Sequence, residues 1–354
     1  MKPFSYIAAL TLLATGTSFL AAADIDYVTR KSDGKIFGGE ISAVSKAEVV
    51  VSQKVGNKEE HIPANDIGLV EWKGEPSSLT AGRSHERSGN LSEALEAYQE
   101  ALSEAASGSE GMRGSIEYLI TRVAVRVAKS DPTQVGTALQ KLKDFVNKYN
   151  EHYRYYDAQL LLAELALSAN DTAVADTSYM VLEKSPWTDY QLAGKNGQGF
   201  SRLAQNDIAG ARRVFTEVAQ SQAANPEENA RRLEGMIGQA ECLERESKYD
   251  EAVTILNSVV QEARAADSRI LALAYLKQGD CLAADGQHVK PAILAYLHVD
   301  VIPSLAAHAD LHAEALYNLS KLWLAVNQPQ RSADASNTLQ TNYNTSEWAQ
   351  KLNQ

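Results

Sequence analysis

Two segments nearly repeat: QAECLERESKYDEAVTILNSVV, from Gln239 to Val260, and QGDCLAADGQHVKPAILAYLHV, from Gln278 to Val299. Each opens on a small residue (Ala240, Gly279), has Leu three places on (Leu243, Leu282), and then a polar turn. A second run follows with Ala252 or Ala292, a larger apolar residue four on (Leu256, Tyr296), and Val three further (Val259, Val299). Small residues let two helices approach, and large ones fill what remains of the gap. Recurrence of the same line downstream predicts a helical repeat array, in which each unit contacts its neighbours and length has no ceiling.

The same landmarks extend outward in both directions. GRSHERSGNLSEALEAYQEAL has Gly82, a turn at Gly89-Asn90, then Ala94, Tyr98 and Ala101. A second unit has Ala124, then Ala138, Leu142 and Phe145. The third has Ala163, a turn at Asn170-Asp171, then Ala175, Tyr179 and Leu182; the fourth has Gly199, Asn206-Asp207, Ala211, Phe215 and Val218. The seventh, at Ser320, Asn327, Ser332, Ser336 and Leu339, is degenerate, as terminal units are. This pattern resembles the tetratricopeptide repeat, with its small residue in the first helix and Ala, aromatic and Ala in the second. The resemblance implies a mainly α fold over 77–354: a right-handed α-α superhelix of about seven helix-turn-helix repeats with a concave groove.

Before the array, 24–73 has strand character: DYVTR, KIFGGEIS, AEVVVSQKV, EEHIP and IGLVEW are rich in Val, Ile and Tyr. Ser32-Asp33-Gly34 and Gly56-Asn57 mark hairpin turns, and Gly38-Gly39 marks a sharply bent strand. IPANDIGLVEW resembles the end of SH3-like or Sm-like barrels, which implies a small closed β-barrel. Pro76 marks the junction, with Ser available to cap the next helix.

Residues 1–23 carry Lys2, an apolar run and Ala21-Ala22-Ala23 before Asp24, the pattern of a secretory signal peptide, with an uncleaved membrane anchor as the alternative. The chain is therefore expected in the periplasm or cell envelope, with no transmembrane span once the leader is removed. A formal charge of −11 argues against a nucleic-acid partner, which would require clustered Lys and Arg. The two cysteines, Cys242 and Cys281, occupy equivalent places in adjacent repeats. Equivalent positions lie about 10 Å apart, beyond disulfide reach, so free thiols are expected.

Candidate chemistry is sparse. His308 and His312 stand four apart, but Ala309 occupies the place where a helical zinc-protease motif needs Glu. In GKNGQGF, Gly194, Gly197 and Gly199 are in the wrong order for a dinucleotide or phosphate loop. The cluster Tyr153, Tyr155 and Tyr156 predicts packing between units, and Trp348 predicts a capping side chain. No nucleophile elbow or triad motif appears, so the chain reads as non-enzymatic, without metal or cofactor.

In the resembling family, ligands are held by first-helix residues that do not pack on the second helix. Carried over, this places Asp157, Glu164, Asn196, Phe200, Glu241, Glu244, Asp280, Glu314, Tyr317 and Lys321 towards the groove. Their acidity implies a basic or polar partner segment with apolar anchors. The expected function is a scaffold or adaptor binding envelope or secreted proteins; the alternative is a glycan- or peptidoglycan-binding module.

Overall fold

The computed structural model describes residues 25–352 except 54, 55, 57 and 285. The expected leader lies outside the described residues, as does part of the Gly56-Asn57 turn.

Five short strands come first: β1 (Asp26–Arg30), β2 (Ile36–Val44), β3 (Glu48–Ser52), β4 (Glu59–Pro63) and β5 (Ile67–Glu71). They form one antiparallel sheet in the order β4-β3-β2-β1-β5. Gly34, in the left-handed region at φ 69°, closes the β1–β2 turn where Ser32-Asp33-Gly34 predicts one. The first half of β2 pairs with β1 and the second half with β3. The change of partner falls at Gly39, where a Cβ would lie 2.3 Å from the Ser52 carbonyl oxygen.

The sheet does not close into a barrel, contrary to the sequence expectation: among the described residues, no ladder joins β4 to β5. Arginines of the helical array, one on the helix that begins at Ser77 and one just before the helix that begins at Tyr155, take the β5 carbonyls instead. Arg154 donates to the Ile67 and Gly68 oxygens at 3.3 and 3.2 Å, and Arg83 donates to Val70 O at 2.9 Å. The sheet therefore satisfies this edge against the helices rather than against its own fourth strand.

The helices follow as seven pairs. They are α1 (Ser77–Arg87) with α2 (Leu91–Glu104), α3 (Glu110–Ser130) with α4 (Val135–Lys148), and α5 (Tyr155–Ser168) with α6 (Thr172–Glu183). Next come α7 (Thr188–Ala204) with α8 (Ile208–Ala219), α9 (Pro226–Arg245) with α10 (Tyr249–Glu262), and α11 (Ser268–Ala284) with α12 (Val289–Val301). A single turn, α13 (Pro303–Ala306), precedes α14 (Ala309–Ala325) with α15 (Pro329–Asn342), and α16 (Glu347–Leu352) ends the array. No helix among the described residues is long and apolar enough to cross a membrane.

The turns fall where the sequence places them. Asn170, Asn206 and Asn327 adopt φ near 60°, the left-handed conformation Asn tolerates best among non-glycine residues. The following Asp171 and Asp207 accept from the backbone N–H of Val174 and Gly210, capping α6 and α8. At Pro76 the expectation is only half met: the helix starts there, but Ser78 donates to Glu104 at 2.6 Å and no side chain caps α1.

Inside the first, fourth and sixth pairs the small landmark meets the large one, at Gly82 with Tyr98, Gly199 with Phe215 and Gly279 with Tyr296. A Cβ on Gly279 would sit 2.5 Å from the Tyr296 ring, so the two helices cross closer than any larger residue permits. Cys242 and Cys281 are free and buried in this packing. Burial pushes their thiols up to about 11 and about 12, which leaves them protonated and unreactive at neutral pH. The sheet is not separate from the array: Val28, Phe37, Ile62 and Trp72 share one core with Leu79, Tyr98 and Ile116.

The array curls back on itself. Helix α14, from the seventh pair, packs against α3, from the second, and Thr345 Oγ1 donates to Ser130 O at 3.0 Å. The first helices thereby surround a central space.

Candidate functional site

That space is a cavity of about 810 Å³ walled by α3, α5, α7, α9, α11 and α14, and completed by 346–348. This volume lies in the range of ligand-binding clefts. Leu160, Phe200, Ile270, Leu273 and Trp348 give it apolar surface between charged side chains.

Nearly all of those charges are paired across or along the wall. Lys129 meets Glu164 at 3.6 Å, Arg231 meets Glu234 at 2.8 Å, and Arg269 meets Asp310 at 2.6 Å. Arg245 lies 3.9 Å from Glu241, and Lys351 lies 2.9 Å from Glu347. Glu314 is the exception, having no ion pair or hydrogen bond among the described residues. Burial, followed by the neighbouring Asp280 charge, raises its carboxyl to about 7.

A carboxyl whose folded value exceeds its unfolded one keeps its proton after the unfolded chain has lost its own. The contribution of Glu314 to stability therefore falls as pH rises from about 4.5 to about 7. Glu314→Gln should escape this loss. Urea melts are expected to show no advantage over the natural chain at pH 4.5 and a gain of about 1–3 kcal/mol at pH 8. A pH-independent difference would contradict the assignment.

The sequence-derived groove residues divide into two groups. Glu164, Asn196, Phe200, Glu241 and Glu314 line the cavity. Asn196 is 2% exposed, and its Nδ2 donates to Arg231 O at 2.7 Å, tying α7 to α9. The remaining five are not brought to the wall. Asp157 is held by Arg154 at 2.8 Å and by the Tyr190 hydroxyl at 2.5 Å. Glu244 and Asp280 flank Lys277 at 3.9 and 3.3 Å, behind the Glu314 end of the cavity. Lys321 donates to the Tyr317 hydroxyl at 2.7 Å, and Tyr317 packs on Trp348.

Several wall residues have no counterpart among those expected: Lys129, Arg231, Glu234, Arg269 and Asp310. Glu234 was within reach of sequence reasoning, since it stands two helical turns before Glu241 on the same face. Arg231 follows with it, three places before Glu234 and paired to it, but Arg269 was not within reach, because its partner Asp310 lies on another helix.

The other candidates have structural roles. Both ring nitrogens of His312 are engaged, with Tyr343 at 2.8 Å and Asp300 at 2.9 Å, while His308 bonds Ser268 at 2.9 Å. Gly194, Gly197 and Gly199 lie within α7. Tyr153 bonds Ser115 at 2.9 Å, and Tyr156 packs on Trp187 and Tyr190 between units. Both tyrosines are buried and offer no open ring on which a sugar could stack. Trp348 both caps the array against Tyr317 and reaches the cavity.

No family model matches the chain, and no curated protein matches it. Solved structures of similar shape do exist. A Rap protein complexed with competence and sporulation factor is 15% identical with a TM-score of 0.52, the match covering 75% of this chain and 73% of that one. A tetratricopeptide repeat protein from Parabacteroides merdae is 15% identical at TM-score 0.46, over 75% of this chain and 91% of that one. PilW, a type IV pilus biogenesis factor, is 16% identical at 0.41, over 68% and 99%. At these identities the likeness concerns fold alone: the array is a tetratricopeptide-like arrangement of helix pairs.

Proposed function

We propose that the protein is a non-catalytic scaffold that holds a segment of a partner protein in its central cavity. One observation carries this: first helices from six consecutive repeats converge on a single space with mixed apolar and charged walls. Convergence from many elements suits an extended segment, which can meet a different repeat with each side chain. The leader-like residues 1–23 support export, so the partners are envelope or secreted proteins.

A photo-cross-linking residue placed at Phe200, inside the cavity, and another at Met180, 46% exposed on α6, provide the test. In cells making the full chain, the Phe200 position is expected to yield a discrete adduct with another protein, and the Met180 position is not. Equal labelling from both positions, or none from the cavity, would sink the proposal.

A further inference from the structure

We infer that Glu314 is the docking point for a cationic side chain, Lys or Arg, carried by an extended segment of the partner held in the cavity. This rests on the scaffold role proposed above and names the chemistry it selects. The observation that carries it is the pairing pattern of the wall. Among the described residues, every other charged residue lining the cavity already has an opposite partner, and Glu314 does not.

Nothing nearby is free to neutralise it. From α11, Lys277 exerts the largest positive influence on it, but is itself engaged with Asp280 and Glu244. Helix α9 adds the Glu241 charge around Lys277, and α16 contributes Glu347 with its own partner, Lys351. The charges acting on Glu314 are Asp280 and Glu347 against Lys277 and Lys351. Those four charges cancel, so Glu314 itself leaves this end of the cavity with an excess negative charge. An arriving carboxylate would be repelled, and a neutral group would leave Glu314 unpaired in poorly hydrated surroundings.

Lys and Arg also suit the apolar part of the wall. Their aliphatic stems can lie along Leu273 and Trp348 while the charged head reaches the carboxylate. A charge-assisted hydrogen bond formed there is stronger than one in open solvent, because water is partly excluded. Since burial and Asp280 raise the Glu314 carboxyl, cation binding should also expel a proton near neutral pH.

The test uses the folded full chain, immobilised, with a pooled library of random hexapeptides as probe at pH 7.5. Retained peptides are expected to carry Lys or Arg at one position at about tenfold excess over the pool, the size of one charge-assisted hydrogen bond. Glu314→Gln, checked for folding by its melting curve, should abolish that excess while other peptides are still retained. For one retained Lys peptide, affinity in the natural chain should weaken between pH 8 and pH 6; this measurement requires no variant. Retention without cation preference, or a preference unchanged in Glu314→Gln, overturns the Glu314 assignment and leaves the scaffold role standing. Binding of spermidine with no peptide retained would make the cavity a small-molecule site and overturn both.

Discussion

Arg154→Met is expected to destabilise the protein by about 2–4 kcal/mol, the cost of leaving one member of a partly buried ion pair and two strand carbonyls without their partner. The Arg154 guanidinium is 2.8 Å from Asp157 and packs over the Tyr118 and Tyr153 rings. Burial opposes its charge, but Asp157 and the two phenols more than offset this and hold it firmly protonated. Two of its N–H groups also reach the Ile67 and Gly68 carbonyls of β5. Removing the guanidinium therefore strands a carboxylate and two strand carbonyls in one joint. Urea denaturation measures the loss, and limited proteolysis should show the strands released before the later repeats. A loss below about 1 kcal/mol would contradict this account. Arg154→Met combined with Asp157→Leu should recover a large part of it, because the pair leaves together and no charge remains behind.

The Arg154 joint also shows where sequence reasoning stops. Asp157 and Glu164 are two turns apart on one helical face, and periodicity alone assigns both to the groove. Glu164 reaches the cavity, whereas Asp157 is covered. Periodicity identifies which face a residue occupies but not what lies across from it, and at this end of α5 it is the sheet. Contacts such as Asn65 with Asp189 at 3.2 Å and Lys46 with Glu151 at 2.7 Å join residues more than a hundred positions apart. Local signals were read with success, because Asn170, Asn206 and Gly89 act through their own backbone conformations. Closure of the array at Thr345 and Ser130 accumulates from small rotations between repeats, and no short stretch of sequence encodes it. The barrel expectation failed because strand propensity predicts five strands but not the arginines that satisfy the β5 carbonyls, Arg83 on the next helix and Arg154 before α5.

Gly238→Val should uncouple the fourth repeat from the fifth. Phe215 is fully buried and lies between two glycines, Gly199 of its own repeat and Gly238 of the next. A Cβ on Gly238 would sit 2.4 Å from the Phe215 ring, and one on Gly199 would sit 2.5 Å away. The ring cannot yield towards α7, where Phe200 packs edge-on against it at 4.8 Å between centroids. Valine must then push α8 and α9 apart, at a cost of about 3 kcal/mol, the upper end for an overpacked core. Because repeats stabilise one another only through shared interfaces, the loss should fall on this one interface rather than spread evenly. Thermal unfolding is expected to split into two steps, one for each side of the α8–α9 crossing, with hydrogen exchange locating the boundary between 219 and 226. A single cooperative transition at the original temperature would show that the crossing tolerates the extra volume. Phe215→Leu in the Gly238→Val background supplies the converse check: a smaller side chain gives the valine room and should restore part of the coupling, although Phe215→Leu alone opens a cavity and destabilises. Opposite signs for one substitution in two backgrounds would identify the ring–glycine contact, rather than helix propensity, as the element that locks these repeats in register.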